Sequence, residues 1–78
     1  MLDLTKTKLK KHSVTIAGHR TSISVEVGFW THFTAIAKAE DTSINELIRR
    51  IDEARTGSLS GAIRVFVLQH LESKIKRD

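Results

Sequence analysis

Few side chains in this 78-residue sequence are suited to covalent chemistry. The sequence has no cysteine, which excludes a thiol nucleophile, a disulfide and a thiolate metal site. It contains neither a glycine-rich phosphate loop nor a His-Glu-x-x-His pair. A domain this small also rarely encloses the pocket that two-carboxylate catalysis needs. We therefore predict that the protein is not an enzyme and uses no cofactor.

The histidines are the remaining metal ligands to consider. They are His12, His19, His32 and His70. Without cysteine, several of them would have to converge on one ion. If the chain turns at Ala17 and Gly18, His12 and His19 lie several residues apart along a hairpin, too far to share an ion. We predict no metal site within one chain, and a site shared across a dimer interface stays open.

Positive charge is the stronger chemical signal. Lysine and arginine number 13 against 9 acidic residues, for a formal net charge of +4. A basic balance favours a polyanionic partner such as nucleic acid. Much of the excess lies near the N-terminus, so we interpret residues 1–12 as a basic mobile arm and residues 13–78 as a single domain.

Two further absences bear on the cellular compartment. No run of 18 apolar residues is present, so no segment is expected to cross a membrane. Residues 1–12 lack the apolar middle of a signal peptide. Because the sequence also lacks cysteine, we expect the protein to be cytoplasmic.

Residues 13–25 alternate apolar and polar side chains on either side of Gly18, which predicts two short strands. If the strands form a hairpin, an even-numbered loop places their apolar side chains on one face. Those side chains are Val14, Ile16, Ile23 and Val25. The opposite face then carries the polar residues Ser13, Thr15, Arg20, Ser22 and Ser24.

Two amphipathic helices are predicted next. Apolar residues spaced by three and four over residues 27–39 indicate a helix that ends near residues 40–42. Ser43 and Glu46 form the pattern of a capping box, which starts a second helix. This helix is expected to reach about Arg55, before Gly57.

A third helix is expected to start at Ser58 or Ser60. Apolar residues from Leu59 to Ile75 cover most of its circumference, so it must pack on more than one side. In a chain of this length, we expect the second side to contact another subunit.

The order of these elements resembles the ribbon-helix-helix family, which includes the Arc and methionine repressors. The resemblance covers residues from His19 to about Ala54. It rests on the strand at residues 20–25, the helix with Trp30, Phe33 and Ile36, and the opening Ser43-x-Asn45-Glu46-x-Ile48. A longer signature is similar to a small bacterial subfamily: Gly18-His19-Arg20-Thr21-Ser22, with Phe29-Trp30 and Ile51-Asp52 downstream.

The resemblance implies an α+β, mostly helical fold. Its ribbon-helix-helix core would carry an added N-terminal strand or hairpin and an added third helix, in an intertwined homodimer. Two chains of the family pair their strands into a ribbon that enters the DNA major groove. The resemblance therefore implies a sequence-specific transcriptional regulator. Its partners would be double-stranded DNA and further copies of itself, as a homodimer or a dimer of dimers.

The resemblance also assigns contacts by position. Base contacts would come from Arg20, Ser22 and Ser24. Phosphate contacts would come from the backbone N–H groups of Ser43, Ile44 and Asn45 and from the lysines of the arm, Lys8, Lys10 and Lys11.

An alternative function follows from the width and chemistry of the predicted sheet. Hairpins from two chains would make a four-stranded sheet, whereas the major groove, about 12 Å wide, admits a two-stranded ribbon. Serine discriminates bases weakly, and Glu26 on the same face would be repelled by phosphate. The alternative is an oligomerisation module that does not bind DNA, with a sheet face that binds a partner protein or a small anion.

Overall fold

The computed structural model describes residues 4–75. A short 3₁₀ turn at Thr5–Thr7 precedes two strands and three helices. The elements are β1 (Leu9–Ile16), β2 (His19–Glu26), α1 (Val27–Ala39), α2 (Ile44–Ala54) and α3 (Leu59–Ile75). This arrangement confirms the predicted α+β, mostly helical fold, with a β-hairpin and a third helix added to the ribbon-helix-helix core. No helix within the described range is long and apolar enough to cross a membrane.

The hairpin closes through a two-residue turn. Ala17 and Gly18 both have positive φ, 51° and 80°, which matches the right-handed twist of the adjoining strands. The antiparallel register therefore places the four apolar residues of the even-loop argument together on the core side, as predicted. They are Val14, Ile16, Ile23 and Val25.

Both strands are longer than predicted. β1 begins at Leu9, so residues 9–12 belong to the hairpin and not to a mobile arm. Strand pairing uses backbone groups, and it continues to the base of α1, where the Val27 N–H donates to the Lys8 carbonyl at 2.9 Å. The lysine-rich composition of this segment gave no indication of that pairing. Residues 1–3 of the predicted arm lie outside the described residues.

The end of α1 is set by a left-handed residue. Asp41 has φ 55°, and the Thr42 N–H donates to the Ala37 carbonyl at 2.9 Å while the Asp41 N–H donates to the Lys38 carbonyl at 3.1 Å. These are the two hydrogen bonds of a Schellman motif. The helix therefore ends where the sequence predicted.

Serine hydroxyls cap the two later helices. At α2, Ser43 Oγ accepts from the Glu46 N–H at 3.0 Å. At α3, Ser58 Oγ accepts from the Gly61 N–H at 3.0 Å. Of the two serines proposed to start α3, Ser58 is thus the cap, and Ser60 has a different partner, described below.

One hydrophobic core joins the hairpin to all three helices. Its fully buried side chains are Val25, Phe33, Ile48, Ile63 and Val67. α3 contacts α1, α2 and β2 of its own chain. The chain itself therefore covers much of the apolar surface that we expected to contact a second subunit, although Val65 and Leu68 remain about half exposed.

An aromatic stack lies between the hairpin and α1. The rings of His12 and Trp30 are stacked, with centroids 3.8 Å apart and planes inclined by 12°. Trp30 also approaches Phe33, at 5.5 Å between ring centroids. Both stacked side chains are half-buried, so Trp30 lies at the margin of the core.

Candidate nucleic-acid interface

The hairpin presents a polar face away from the core. Alternation along the strands assigns eight side chains to this surface, which we call the outer face: Leu9, Lys11, Ser13 and Thr15 from β1, and Arg20, Ser22, Ser24 and Glu26 from β2. All are exposed except Ser24 and Glu26, which are half-buried. The three residues predicted to contact bases are thus on one surface.

Arg20 is held across the outer face by a hydrogen bond. Its Nη2 donates to Ser13 Oγ at 3.0 Å, a diagonal contact between neighbouring strands. The remaining N–H groups of the guanidinium stay available, and two of them can bind the O6 and N7 atoms of a guanine. The sequence placed Ser13 on this face but did not predict its bond to Arg20.

The three lysines predicted to contact phosphate do not share one side of the hairpin. Lys11 is on the outer face, opposite Ser24. Lys10 is opposite Val25 and points to the other side of the sheet. Lys8 precedes β1. Only Lys11 of these three therefore lies among the predicted base-contact residues.

The N-terminus of α2 lies against the edge of β1. Asn45 Oδ1 accepts from the Thr15 N–H at 3.3 Å. The N–H groups of Ser43, Ile44 and Asn45 belong to the helix start, where no carbonyl within the helix can pair with them and the helix dipole is positive. The start of α2 is therefore beside the edge of the hairpin at Thr15, and the Asn45 side chain binds that edge.

Glu46 adds a carboxylate to this helix start. It accepts hydrogen bonds from Arg49 Nη2 at 2.6 Å and from Arg50 Nε at 3.2 Å. The bonds from Arg49 and Arg50 lower the pKa of Glu46 to about 2, so the carboxylate stays ionised beside two guanidinium groups. The predicted capping box is half formed: Ser43 binds the Glu46 N–H, while the carboxylate binds the arginines.

The other acidic group of the surface, Glu26, is paired with α3. Arg64 Nε donates to Glu26 Oε1 at 2.7 Å, and this hydrogen bond lowers the pKa of Glu26. The guanidinium of Arg64 therefore offsets the negative charge of Glu26, which we expected from the sequence to repel phosphate. Arg64 is 38 residues from Glu26, and no local pattern in the sequence signals this pair.

The free edge of β2 is also engaged. In antiparallel pairs, residues alternate between those bonded to the neighbouring strand and those whose N–H and C=O point outward. Ser24 is of the second kind, and its carbonyl accepts from Ser60 Oγ at 2.9 Å. Asn45 on β1 and Ser60 on β2 therefore bind the two edges of the hairpin, and we call them the edge caps.

The histidines are dispersed over the part of the chain that the structure describes. His12 is opposite Ile23 and His19 is opposite Ile16, as the two-residue turn predicts. Within residues 4–75, no three histidine or acidic side chains converge on a point where a metal ion could bind.

A strand followed by two helices that pack with it in one core is the element order of a ribbon-helix-helix protein, and β2, α1 and α2 have this order. A family model described as a ribbon-helix-helix domain matches residues 9–71. The chain belongs to the ribbon-helix-helix family. The match includes β1 and most of α3, beyond the segment that carried the resemblance in the sequence. Members of this family are commonly DNA-binding transcription regulators. No curated protein and no solved structure matches the chain.

Proposed function

We propose that the protein is a sequence-specific transcriptional regulator that reads the DNA major groove with the outer face of its hairpin. The observation that carries the proposal is a two-stranded ribbon whose exposed face holds Arg20 and Lys11 among small hydroxyl side chains. Strands lie about 4.8 Å apart, and the major groove is about 12 Å wide. The hairpin of one chain is therefore narrow enough to enter the groove.

The roles of the individual side chains follow from their chemistry. Arg20 is the residue suited to select a base, because its planar guanidinium can donate two hydrogen bonds to guanine. Ser22 and Ser24 add weaker base contacts. Lys11 adds positive charge on the same side. The backbone N–H groups at the start of α2, beside Thr15, would bind a phosphate that flanks the groove.

We also propose that the protein binds DNA as a homodimer, and that dimers associate further on longer sites. Two hairpins related by a two-fold axis would read two half-sites in opposite orientation. The preferred DNA sequence is then a palindrome. Half-sites one helical turn apart would be separated by about 34–36 Å.

The first experiment is selection from sheared genomic DNA at about 150 mM salt, a concentration at which weak backbone contacts are largely screened. We expect the retained fragments to share a palindromic element. Retention of no DNA, or of DNA without a common sequence, would contradict the proposal. That result would favour the alternative, an oligomerisation module that binds a protein or a small anion on the same face.

The second experiment tests the role of Arg20. Arg20→Ala is expected to cost about 1–3 kcal/mol of binding and to relax the preference at one position of each half-site. Arg55→Ala is the matched control, since it removes the same charge from the distant end of α2. An equal loss on all DNA sequences would contradict base reading by Arg20.

A further inference from the structure

Strand β1 brings a second row of side chains to the outer face, beside the β2 residues that are predicted to contact bases. One of them, Ser13, is joined to Arg20 by the hydrogen bond from Arg20 Nη2 to Ser13 Oγ, 3.0 Å long. Both side chains are exposed. The contact therefore lies on the surface that is proposed to enter the groove, and it involves the residue best suited to select a base.

The bond to Ser13 directs the Arg20 side chain away from the turn of the hairpin. The Cα of Arg20 is opposite that of Thr15, whereas Ser13 is opposite Ser22, two residues farther from the turn. Diagonal neighbours on adjacent strands are about 7–8 Å apart, a distance that a long side chain can span. The guanidinium therefore lies toward the middle of the outer face, near Ser13 and Ser22.

Arg20 differs from the other arginines of residues 4–75 in the kind of partner that it has. Each of the others is paired with a carboxylate, which offsets its positive charge. They are Arg49, Arg50, Arg55 and Arg64. Arg20 is bonded to a neutral hydroxyl, which can orient a guanidinium and leave its charge available to an anionic ligand. A carboxylate at position 13 would offset that charge and repel DNA.

We propose that Ser13 is a positioning residue for base selection, because its hydroxyl holds the Arg20 guanidinium in place before DNA binds. The proposal rests on the proposed function, in which Arg20 reads guanine. An arginine that is already ordered loses less conformational freedom on binding, and its planar fork meets the base from a defined position. Ser13 thus increases the preference for guanine through Arg20.

DNA sites that differ only at the base pair where Arg20→Ala relaxes the preference test this role. Ser13→Ala is expected to reduce the affinity ratio between guanine and the other bases there by about two- to tenfold, because a long side chain must then be ordered on binding. Ser13→Thr keeps a hydroxyl on a residue that favours strands, so it should restore most of the ratio. Thr21→Val is the matched control, since it removes a hydroxyl next to Arg20 but on the other side of the sheet, opposite Val14.

The double variant separates positioning from a direct contact between Ser13 and a base. If Ser13 acts through Arg20, Ser13→Ala should cause no further loss of base preference in Arg20→Ala. A further loss in the double variant, or an unchanged ratio after Ser13→Ala alone, would overturn the role of Ser13 while base reading by Arg20 stands. An Arg20→Ala variant with the base preference of the parent would instead overturn the proposed role of Arg20, and that of Ser13 with it.

A measurement on the free protein tests the positioning without DNA. The nitrogen–proton heteronuclear NOE of Arg20 Nε reports the motion of the guanidinium on the ps–ns timescale. We expect Ser13→Ala to lower this NOE and Ser13→Thr to retain it. Arg64 Nε, which is bonded to Glu26, is the internal reference and should not change. If Arg20 is equally mobile in the parent and in Ser13→Ala, Ser13 does not position it, whether or not the protein binds DNA.

Discussion

At the scale of single residues, two neighbouring lysines point to opposite sides of the hairpin. Lys11 is on the outer face and Lys10 is on the other side of the sheet. Lys11→Ala is expected to weaken binding about equally on all DNA sequences and to reduce the slope of log affinity against log salt by about one. Lys10→Ala, which removes the same charge one residue away, should change the slope less. Titrations between about 50 and 200 mM salt measure both slopes.

The Lys10 variant is also the control for net charge. If Lys10→Ala changes the slope as much as Lys11→Ala or more, the outer face is not the side of the hairpin that meets DNA.

His12 is expected to make the free energy of unfolding depend on pH. Burial against Trp30, and the positive charge of Lys10, lower the pKa of His12 below its usual 6.5, and its Nε2 is buried without a hydrogen-bond partner in the described residues. As pH falls below about 6.5, the unfolded chain takes up the proton before the folded one does, so stability decreases. We expect the free energy of unfolding to fall between about pH 7.5 and pH 5.5.

Urea denaturation across this pH range measures the effect. His12→Phe retains an aromatic ring beside Trp30 and removes the titrating group, so it should reduce the pH dependence. His32→Gln, at an exposed position of α1, is the control and should leave the dependence in place. An unchanged dependence in His12→Phe would contradict this assignment.

Contacts between distant residues could not be predicted from the sequence. Strand periodicity alone was enough to place Arg20, Ser22 and Ser24 on one face. The partners of that face, Arg64 and Ser60, depend on where α3 packs. Because the packing of the whole core sets the position of α3, no local sequence pattern predicts these partners.

At the scale of elements, the turn of the hairpin contains a conformational strain. Ala17 has φ 51°, in the left-handed region that is unfavourable for residues with a Cβ. Asparagine is preferred at the first position of this turn when glycine follows, as Gly18 does here. Ala17→Asn is expected to raise the free energy of unfolding by about 0.5–1 kcal/mol.

Urea denaturation at neutral pH measures the change. Ala17→Val is the matched variant in the opposite direction, because a β-branched residue is strongly disfavoured at positive φ. A gain in stability from valine, or a loss from asparagine, would show that strain at this turn does not control the stability of the hairpin.

The helix boundaries were more predictable than the strand boundaries. The cap at Ser43 and the end of α1 near Asp41 are local signals, and the structure confirms both. The beginning of β1 at Leu9 is not a local signal, because its pairing involves backbone groups that every residue type except proline provides. Ser58 and Ser60 were equivalent candidates in the sequence because both are serines at the expected start of α3. The structure shows that Ser58 is the cap.

At the scale of the whole molecule, α3 packs against α1, α2 and β2 and joins them in one core. Ile63 is fully buried at its centre. Ile63→Ala is expected to cost about 2–5 kcal/mol, a large part of the roughly 5–15 kcal/mol that stabilises a typical domain. Because one core unites the elements, the hairpin and the helices should lose structure together.

The sole tryptophan, Trp30, reports on the contact between α1 and the hairpin. Its fluorescence and the helical circular dichroism signal should give the same urea midpoint in the parent and in Ile63→Ala, at matched protein concentration. Leu4→Ala, at an exposed position, is the control and should have little effect. Separate midpoints for the two signals would contradict a single cooperative unit.

The edge caps also affect behaviour at high protein concentration. A two-stranded sheet has two open edges, and each can recruit strands from other molecules until fibrils grow. Here Asn45 and Ser60 each occupy a backbone group on one edge, and each belongs to a helix that packs against the strand it caps. An incoming strand would have to compete with these two side chains for the backbone groups that they bind. The two helix starts therefore hinder the addition of a strand at either edge of the hairpin.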